Sequence, residues 1–441
     1  MQGFYFFSFL PSKLKKCYPE ITMKLQKILH YLLLATIATL PFSSVRFFVL
    51  GVPIYMPELM VIISSALFVW IQCHTDTFKM QKLPTSIILA IAMICVGLLS
   101  SAFFNGITLV QLGIIKSWFF FPLLFGWLLF QTLRNQTESL KTQLENISIV
   151  TQKVLLIWYV TLVLTALIAL TYFFQHQLTY DGRLKAFYLS PNYLALFLFP
   201  GVLLGWYFIT ETLDSRLRGN DKKGSLLFFV TILSWSILCA TLYLTLSYTV
   251  ITAAILGLFL SIFLRSRRSY FLRTTLVALC ISFISLFLLF QINGQKFSDL
   301  VHLYNRSSLA SRIMIWQASE RMIVKHPLIG IGPGNFQTTY LEYQKYFPQY
   351  LEWAVPHPHN LYLAFWLQTG IIGLIGFLLL CIFWIHDLIR AIGTDIKKAP
   401  FLWTLLGIYI TLLLIGFLDT PYWKNDLAYE FWLLIMLGLS L

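Results

Sequence analysis

The chain has 441 residues, 58% of them hydrophobic and 11% charged, with a mean hydropathy of +0.75 and a formal net charge of +14. A soluble domain carries about 25% charged residues, so this composition excludes a water-soluble globular protein and makes the bilayer the solvent. The positive charge is spread over many loops, which also excludes a nucleic-acid footprint; no nucleic-acid partner is expected.

Apolar runs of bilayer length, about 20 residues each, recur from end to end. They fall at 28–44, 57–73, 85–104, 109–130, 154–174, 193–210, 225–243, 246–264, 274–292, 361–384, 401–417 and 427–441. The stretch 225–264 has no polar break and is divided near Tyr243–Ser247. Backbone groups in lipid need internal partners, which favours helices. The expected fold is therefore all-α: a polytopic integral membrane protein, one domain over 1–441, with about twelve transmembrane helices. One large periplasmic helical loop, 293–360, joins helices 9 and 10. With the N-terminus inside, the cytoplasmic segments hold 21 Lys and Arg and the opposite side holds 10, which fits the positive-inside rule with both termini cytoplasmic. Phe4–Leu10 is too short for a signal-peptide core, so no processing is expected. The six cysteines lie in spans or on the cytoplasmic side, so neither a disulfide framework nor a CxxC metal site is implied.

Along the chain, the first residue able to carry chemistry is Lys116, an intramembrane cation about two turns from the outer end of its span. Such residues are functional candidates; snorkelling to the headgroups is the competing reading. Arg183 follows in the short outer loop 175–192, beside Asp181 and Lys185. It reads either as a surface ion pair or as a clamp for a phosphate-bearing substrate. The cytoplasmic loop 211–224, ETLDSRLRGNDKKG, resembles in part the translation of a mobile palindromic DNA repeat, an insertion tolerated at a peripheral site; an ordinary basic loop is the alternative.

The loop 293–360 concentrates the rest. Ser307 or Ser308 can cap a helix that His326-Pro327 ends near Lys325, and a second, aromatic-rich helix is expected near 336–347. On the first helix Arg312 shares a face with Trp316 and Glu320, so it reads as an intrahelical partner or as a second phosphate clamp. GIGPGN at 330–335 fits neither a dinucleotide fingerprint nor a P-loop. It reads as a tight turn, with the amides of Gly332 and Gly334 as candidates to touch substrate phosphate. His357 and His359 flank Pro358 where the chain re-enters the membrane. A neutral imidazole suits a general base near neutral pH. An HxH pair with Glu352 could hold a metal, and a histidine capping the helix that begins near Asn360 is the plain alternative.

HPLIGIGPGNF (326–336) followed by HPHNLYLAFWLQTGIIGLIGF (357–377) resembles the signature of the O-antigen ligase and O-antigen polymerase superfamily. SRIMIWQASERMIVKHP (311–327) matches its Arg-x3-Trp element, GRLKAFYLSPNYLALFL (182–198) its Arg-containing stretch, and FLDTPYWKNDLAYEFW (417–432) its closing element. The resemblance implies a membrane glycosyltransferase at the outer face of the bacterial inner membrane, with no cofactor and no metal. The donor is a glycan on polyprenyl diphosphate; the acceptor is lipid A-core or a growing glycan. By position, His359 of the His-Asn pair would be the catalytic histidine, and Arg183 and Arg312 the diphosphate-binding arginines, with His357 and Asn360 beside the substrate. Leu246-Ser247-Tyr248 departs from the Ser-Arg of many members, so a third cation would have to come from Lys116 or Arg321. The expected activity is transfer of O-antigen to lipid A-core. A polymerase of O-antigen or exopolysaccharide and a protein O-oligosaccharyltransferase share the motif, and a small-anion transporter is the alternative of a different class. Transporters tend to show inverted repeats and several midplane ionisable residues, and neither is evident here.

Overall fold

The computed structural model describes residues 12–49, 51–74, 79–140, 149–218, 222–265, 308–347, 355–394 and 399–440, with scattered positions between 274 and 289. Glu352, Cys280, the loop start 293–307 and much of the expected span 274–292 lie outside the described residues.

The described chain is helical apart from one hairpin. Helices α1 (Ser12–Ala38), α2 (Met56–His74) and α3 (Thr85–Phe104) lead to α4 (Leu109–Ile114), a π-helical turn (Ile115–Phe120) and α5 (Phe121–Leu140). Then come α6 (Ile149–Phe174), α7 (Pro191–Arg218), α8 (Lys222–Leu244) and α9 (Tyr248–Arg265). The outer helices α10 (Ser308–Lys325) and α11 (Phe336–Tyr343) precede α12 (Leu361–Thr394), α13 (Ala399–Ile415) and α14 (Asn425–Leu439). Strands β1 (Arg46–Val49) and β2 (Val52–Tyr55) pair antiparallel between α1 and α2. α10 ends where His326-Pro327 requires, and α11 with its 3-10 extension to Tyr346 occupies the expected second helix.

Seven of the described helices are long and apolar enough to cross a membrane, and α9 and α13 are shorter apolar helices. The chain is a multi-pass, all-α membrane protein; by this measure the described residues supply seven of the expected twelve spans. α14 falls on the expected span 427–441. Its 15 residues are buried except Gly438. At about 1.5 Å per residue it is about 22 Å long, short of a hydrocarbon core of about 30 Å. A helix apolar on every side can be a span or the centre of a bundle, and α14 is packed round by the rest.

α12 carries the outer loop. Gly370 leaves the helical region (φ 68°), and the freed backbone is taken up by the Gly-rich turn: Ile371 N–H donates to Leu328 O at 3.1 Å and Ile331 N–H to Leu367 O at 2.6 Å. A Cβ on Gly330 would lie 2.3 Å from Leu367 O. Two glycines with φ near +70° thus let two backbones meet where side chains would keep them apart.

Candidate functional site

The segment 416–424, between α13 and α14, is the seat of the site. Aromatic packing holds it from below, with Tyr422 and Trp423 against Phe119 and Phe365. The Tyr422 hydroxyl donates to Trp118 O at 2.8 Å. From above, Leu361 N–H donates to Gly416 O at 2.7 Å and Asn360 Nδ2 to Phe417 O at 3.0 Å. Asn360 also accepts from Leu363 N–H at 3.0 Å, so it is the N-cap of α12.

Asp419 projects from this segment and is almost fully buried (2% exposed). Its Oδ1 accepts from Thr420 N–H at 2.9 Å and meets His359 Nδ1 at 3.3 Å. Its Oδ2 accepts from Asn192 Nδ2 at 3.2 Å and faces Arg312 Nη2 at 3.5 Å. Asn192 in turn accepts from Arg183 Nη2 at 2.6 Å, while Arg183 Nε donates to Thr245 O at 2.9 Å. Four segments, around 183–192, 312, 357–360 and 419, therefore converge on one carboxylate. Burial alone would raise the Asp419 pKa, but the hydrogen bond and charge of His359 and the charge of Arg312 hold it below the usual carboxylate range. Burial pulls the Arg183 pKa down, and the charge of Arg312 adds to this. Two guanidinium groups that repel each other thus stand around one buried carboxylate, Arg183 by way of Asn192, with Asp181 at the margin. Arg183 Nη1 meets Asp181 Oδ2 only at 3.9 Å, beyond hydrogen-bond reach, so that edge of the fork can take an anionic oxygen.

The two histidines play different parts. His359 is partly exposed (27%). With Nδ1–H toward Asp419, Nε2 is left as the acceptor. Its backbone sits at φ 47°, a left-handed conformation that costs a non-glycine residue about 1–3 kcal/mol. Neighbours hold the turn: Trp316 Nε1 donates to Pro358 O at 3.0 Å, and the Asn360 bonds follow at once. His357 is buried, with Nε2 on the Tyr193 hydroxyl at 2.8 Å and Nδ1 on Thr420 Oγ1 at 3.1 Å. Its ring stands edge-on to His359 with centroids 4.5 Å apart. Burial first, then the charge of His359, push its pKa from 6.5 down to about 3. His357 is therefore neutral at working pH with both nitrogens engaged.

That shift has a measurable consequence. The unfolded chain accepts a proton on His357 near 6.5 and the folded chain only near 3, so stability falls as pH drops through that window. The thermal midpoint of the detergent-solubilised protein should decline from about pH 7 to about pH 4.5, and His357→Asn should flatten that decline. An unchanged slope in the variant would place the acid sensitivity elsewhere.

His357, His359 and Asp419 bring one possible ligand atom each within 4.8 Å of one another. The set does not suit a cation: both His357 nitrogens are used, and Arg312 already faces the carboxylate.

Other candidates have other partners. Lys116 donates to Pro53 O at 2.6 Å and pairs with Glu58 at 2.7 Å. Arg321 lies over the rings of Tyr346 and Phe347. Gly334 N–H is taken by Gln368 Oε1 at 3.0 Å, and a Cβ on Gly332 would crowd Asn335, Asn105 and Gln111. The turn 245–247 offers the Thr245 carbonyl that holds Arg183. Asp419, Asn192, Tyr193 and Thr420 were not singled out by the sequence. The signals that pointed near them were the Pro-Asn of the 182–198 stretch and the closing element 417–432.

Residues 231–378, about a third of the chain, match the family model described as O-Antigen ligase. This region takes in Arg312, the Gly-rich turn, both histidines and the Gly370 break. No curated protein matches the chain. The match supports the superfamily read from the motifs, and with it a membrane enzyme of polysaccharide biosynthesis of the O-antigen ligase and O-antigen polymerase superfamily.

Proposed function

We propose that the protein is an O-antigen ligase of the bacterial inner membrane, moving a glycan from polyprenyl diphosphate to lipid A-core on the periplasmic side. The observation that carries this reading is the convergence of Arg183, Arg312 and His359 on Asp419. In the reaction an acceptor hydroxyl attacks the anomeric carbon of the donor. The bond from that carbon to the diphosphate oxygen breaks, and polyprenyl diphosphate leaves with the electron pair. The hydroxyl proton passes to His359 Nε2, and Asp419 steadies the imidazolium through Nδ1–H. Negative charge grows on the diphosphate, and two fixed guanidinium groups in a partly dry site meet it. The donor is already activated, so the scheme needs no nucleotide.

Two measurements test the proposal. A deletion strain should lose polymer-capped lipopolysaccharide while polymer stays on its carrier. Capping by a single repeat would instead make the protein a polymerase and overturn the ligase assignment. In purified protein, Arg183→Lys and Arg312→Lys keep the charge but lose the planar fork, which should lower transfer by about 10–100-fold each. Near-wild-type rates in both would remove the clamp.

A further inference from the structure

The sequence singles out Lys116, whose side chain meets Pro53 and Glu58 rather than Asp419. The structure ties it to a hairpin. Lys116 Nζ bonds Pro53 O in β2 and Glu58 in the first turn of α2, and Glu58 Oε2 also accepts from Tyr55 N–H at 3.1 Å. Glu58 is 1% exposed, so its charge is compensated inside the protein. The hairpin is thus pinned to the π-helical turn 115–120, which carries Lys116.

Beyond that clip the ribbon is bare. Phe47, Phe48, Val49 and Val52 are 42%, 71%, 50% and 50% exposed. Every β1 residue is exposed, while Pro53, Ile54 and Tyr55 of β2 are half-buried on the side of the clip, so β1 and the tip are the uncovered part of the ribbon. A lone two-stranded ribbon is marginal in water, and four apolar side chains facing water would be a poor use of it. The neighbouring helix is just as apolar: Leu109 and Leu112, on the Lys116 face, are 87% and 47% exposed.

The level of the hairpin names the occupant. α2, a helix fit to cross a membrane, starts at Met56, one residue after β2 ends. A four-residue strand is about 13 Å long, so the ribbon stays close to the level where the span meets the headgroups. The base of the ribbon pairs Arg46 with Tyr55, with the guanidinium 5.7 Å from the ring centre. Tyr and Arg are side chains of the membrane–water boundary, the one by its amphipathic ring and the other by snorkelling. Apolar residues lie toward the tip, where Gly51 turns the chain. We infer that the hairpin 46–55 lies in the interfacial layer of the bilayer, its apolar side chains among lipid, clipped to the bundle by the Lys116–Glu58 pair. α2, itself of membrane-spanning length, also leaves Ile62 and Ile63 exposed, and α4 leaves Leu109, so the exposed apolar side chains are not confined to the ribbon, which favours lipid over a protein partner.

The test uses full-length, cysteine-free protein in nanodiscs of phosphatidylethanolamine and phosphatidylglycerol. A nitroxide is placed at Phe48→Cys, at Val52→Cys, or at Gln177→Cys, an exposed position in the other outer loop. Labels at 48 and 52 should collide with oxygen in preference to a water-soluble nickel chelate, and the label at 177 should do the reverse. Nickel access at 48 equal to that at 177 overturns the inference. So does exclusion of both reagents with spin–spin broadening, which would mean that a second copy covers the ribbon. Lys116→Met should sharpen the spectrum of the label at 48 as the ribbon loosens, and Lys116→Arg should not. An unchanged spectrum in Lys116→Met overturns the clip. The accessibility at 48 is read in the Lys116 background, so it stands even where Lys116→Met fails to fold.

Discussion

His359→Ala should lower glycan transfer by about 10²–10⁴-fold, the usual cost of removing a positioned general base. Donor binding should survive, because the arginine fork at Asn192 and Thr245 does not involve the imidazole. The signature is a fall in kcat with little change in donor KM, since a group that acts mainly in the transition state contributes little to ground-state binding. His357→Ala should differ in kind. Its loss strands the Tyr193 hydroxyl and the Thr420 hydroxyl in a buried place, so the first effect is on stability, with activity falling as His359 loses its edge contact. A fully active His359→Ala protein would remove the histidine from the mechanism.

Asp419→Asn carries the second large effect. The carboxylate orients His359, faces Arg312 and holds the Asn192 amide that positions Arg183. An amide of the same shape presents N–H where an acceptor is needed, so His359 loses its favoured tautomer and its imidazolium loses its counter-charge. A loss on the order of 10³-fold in kcat is expected, by the logic that makes the acid of a hydrolase triad essential. The destabilisation should fall at or below the low end of about 3–5 kcal/mol, since Arg312 and His359 keep some contact with water. Because Asp419 titrates below the ordinary carboxylate range in the folded state, its contribution to stability is present above the unfolded carboxylate pKa and is lost only in stronger acid. A variant that folds and turns over at the wild-type rate would show that the carboxylate is merely structural.

The part of the site on 311–377 was legible because its spacing is local. Arg312, the helix stop at His326-Pro327, the Gly-rich turn and the HPHN entry follow one another within about seventy residues, and each has its own local reason. Asp419 was not legible. It stands in a short apolar segment among scattered acids, and only the fold brings it to His359, 60 residues away, and within reach of Asn192, 227 residues away. Lys116 shows the same blindness. It reads as a solitary cation because its partner Glu58 lies 58 residues upstream at the start of another span. Buried charges find partners across the bundle, and linear distance says nothing about that. α14 is a related case: hydropathy sees that it is apolar but not that protein packs round it.

The break at Gly370 bears on how this chain could be recombined with similar sequences. The Gly-rich turn and α12 share two backbone hydrogen bonds, Ile331 to Leu367 and Ile371 to Leu328. Backbone bonds cannot be restored by choosing side chains at a junction. A chimera that exchanges the outer loop and joins it before α12 therefore puts a foreign turn against a helix break shaped for another. The transplantable cassette runs from His326 through Ile371, loop and broken helix together, and exchanges of the outer loop should be cut at those limits.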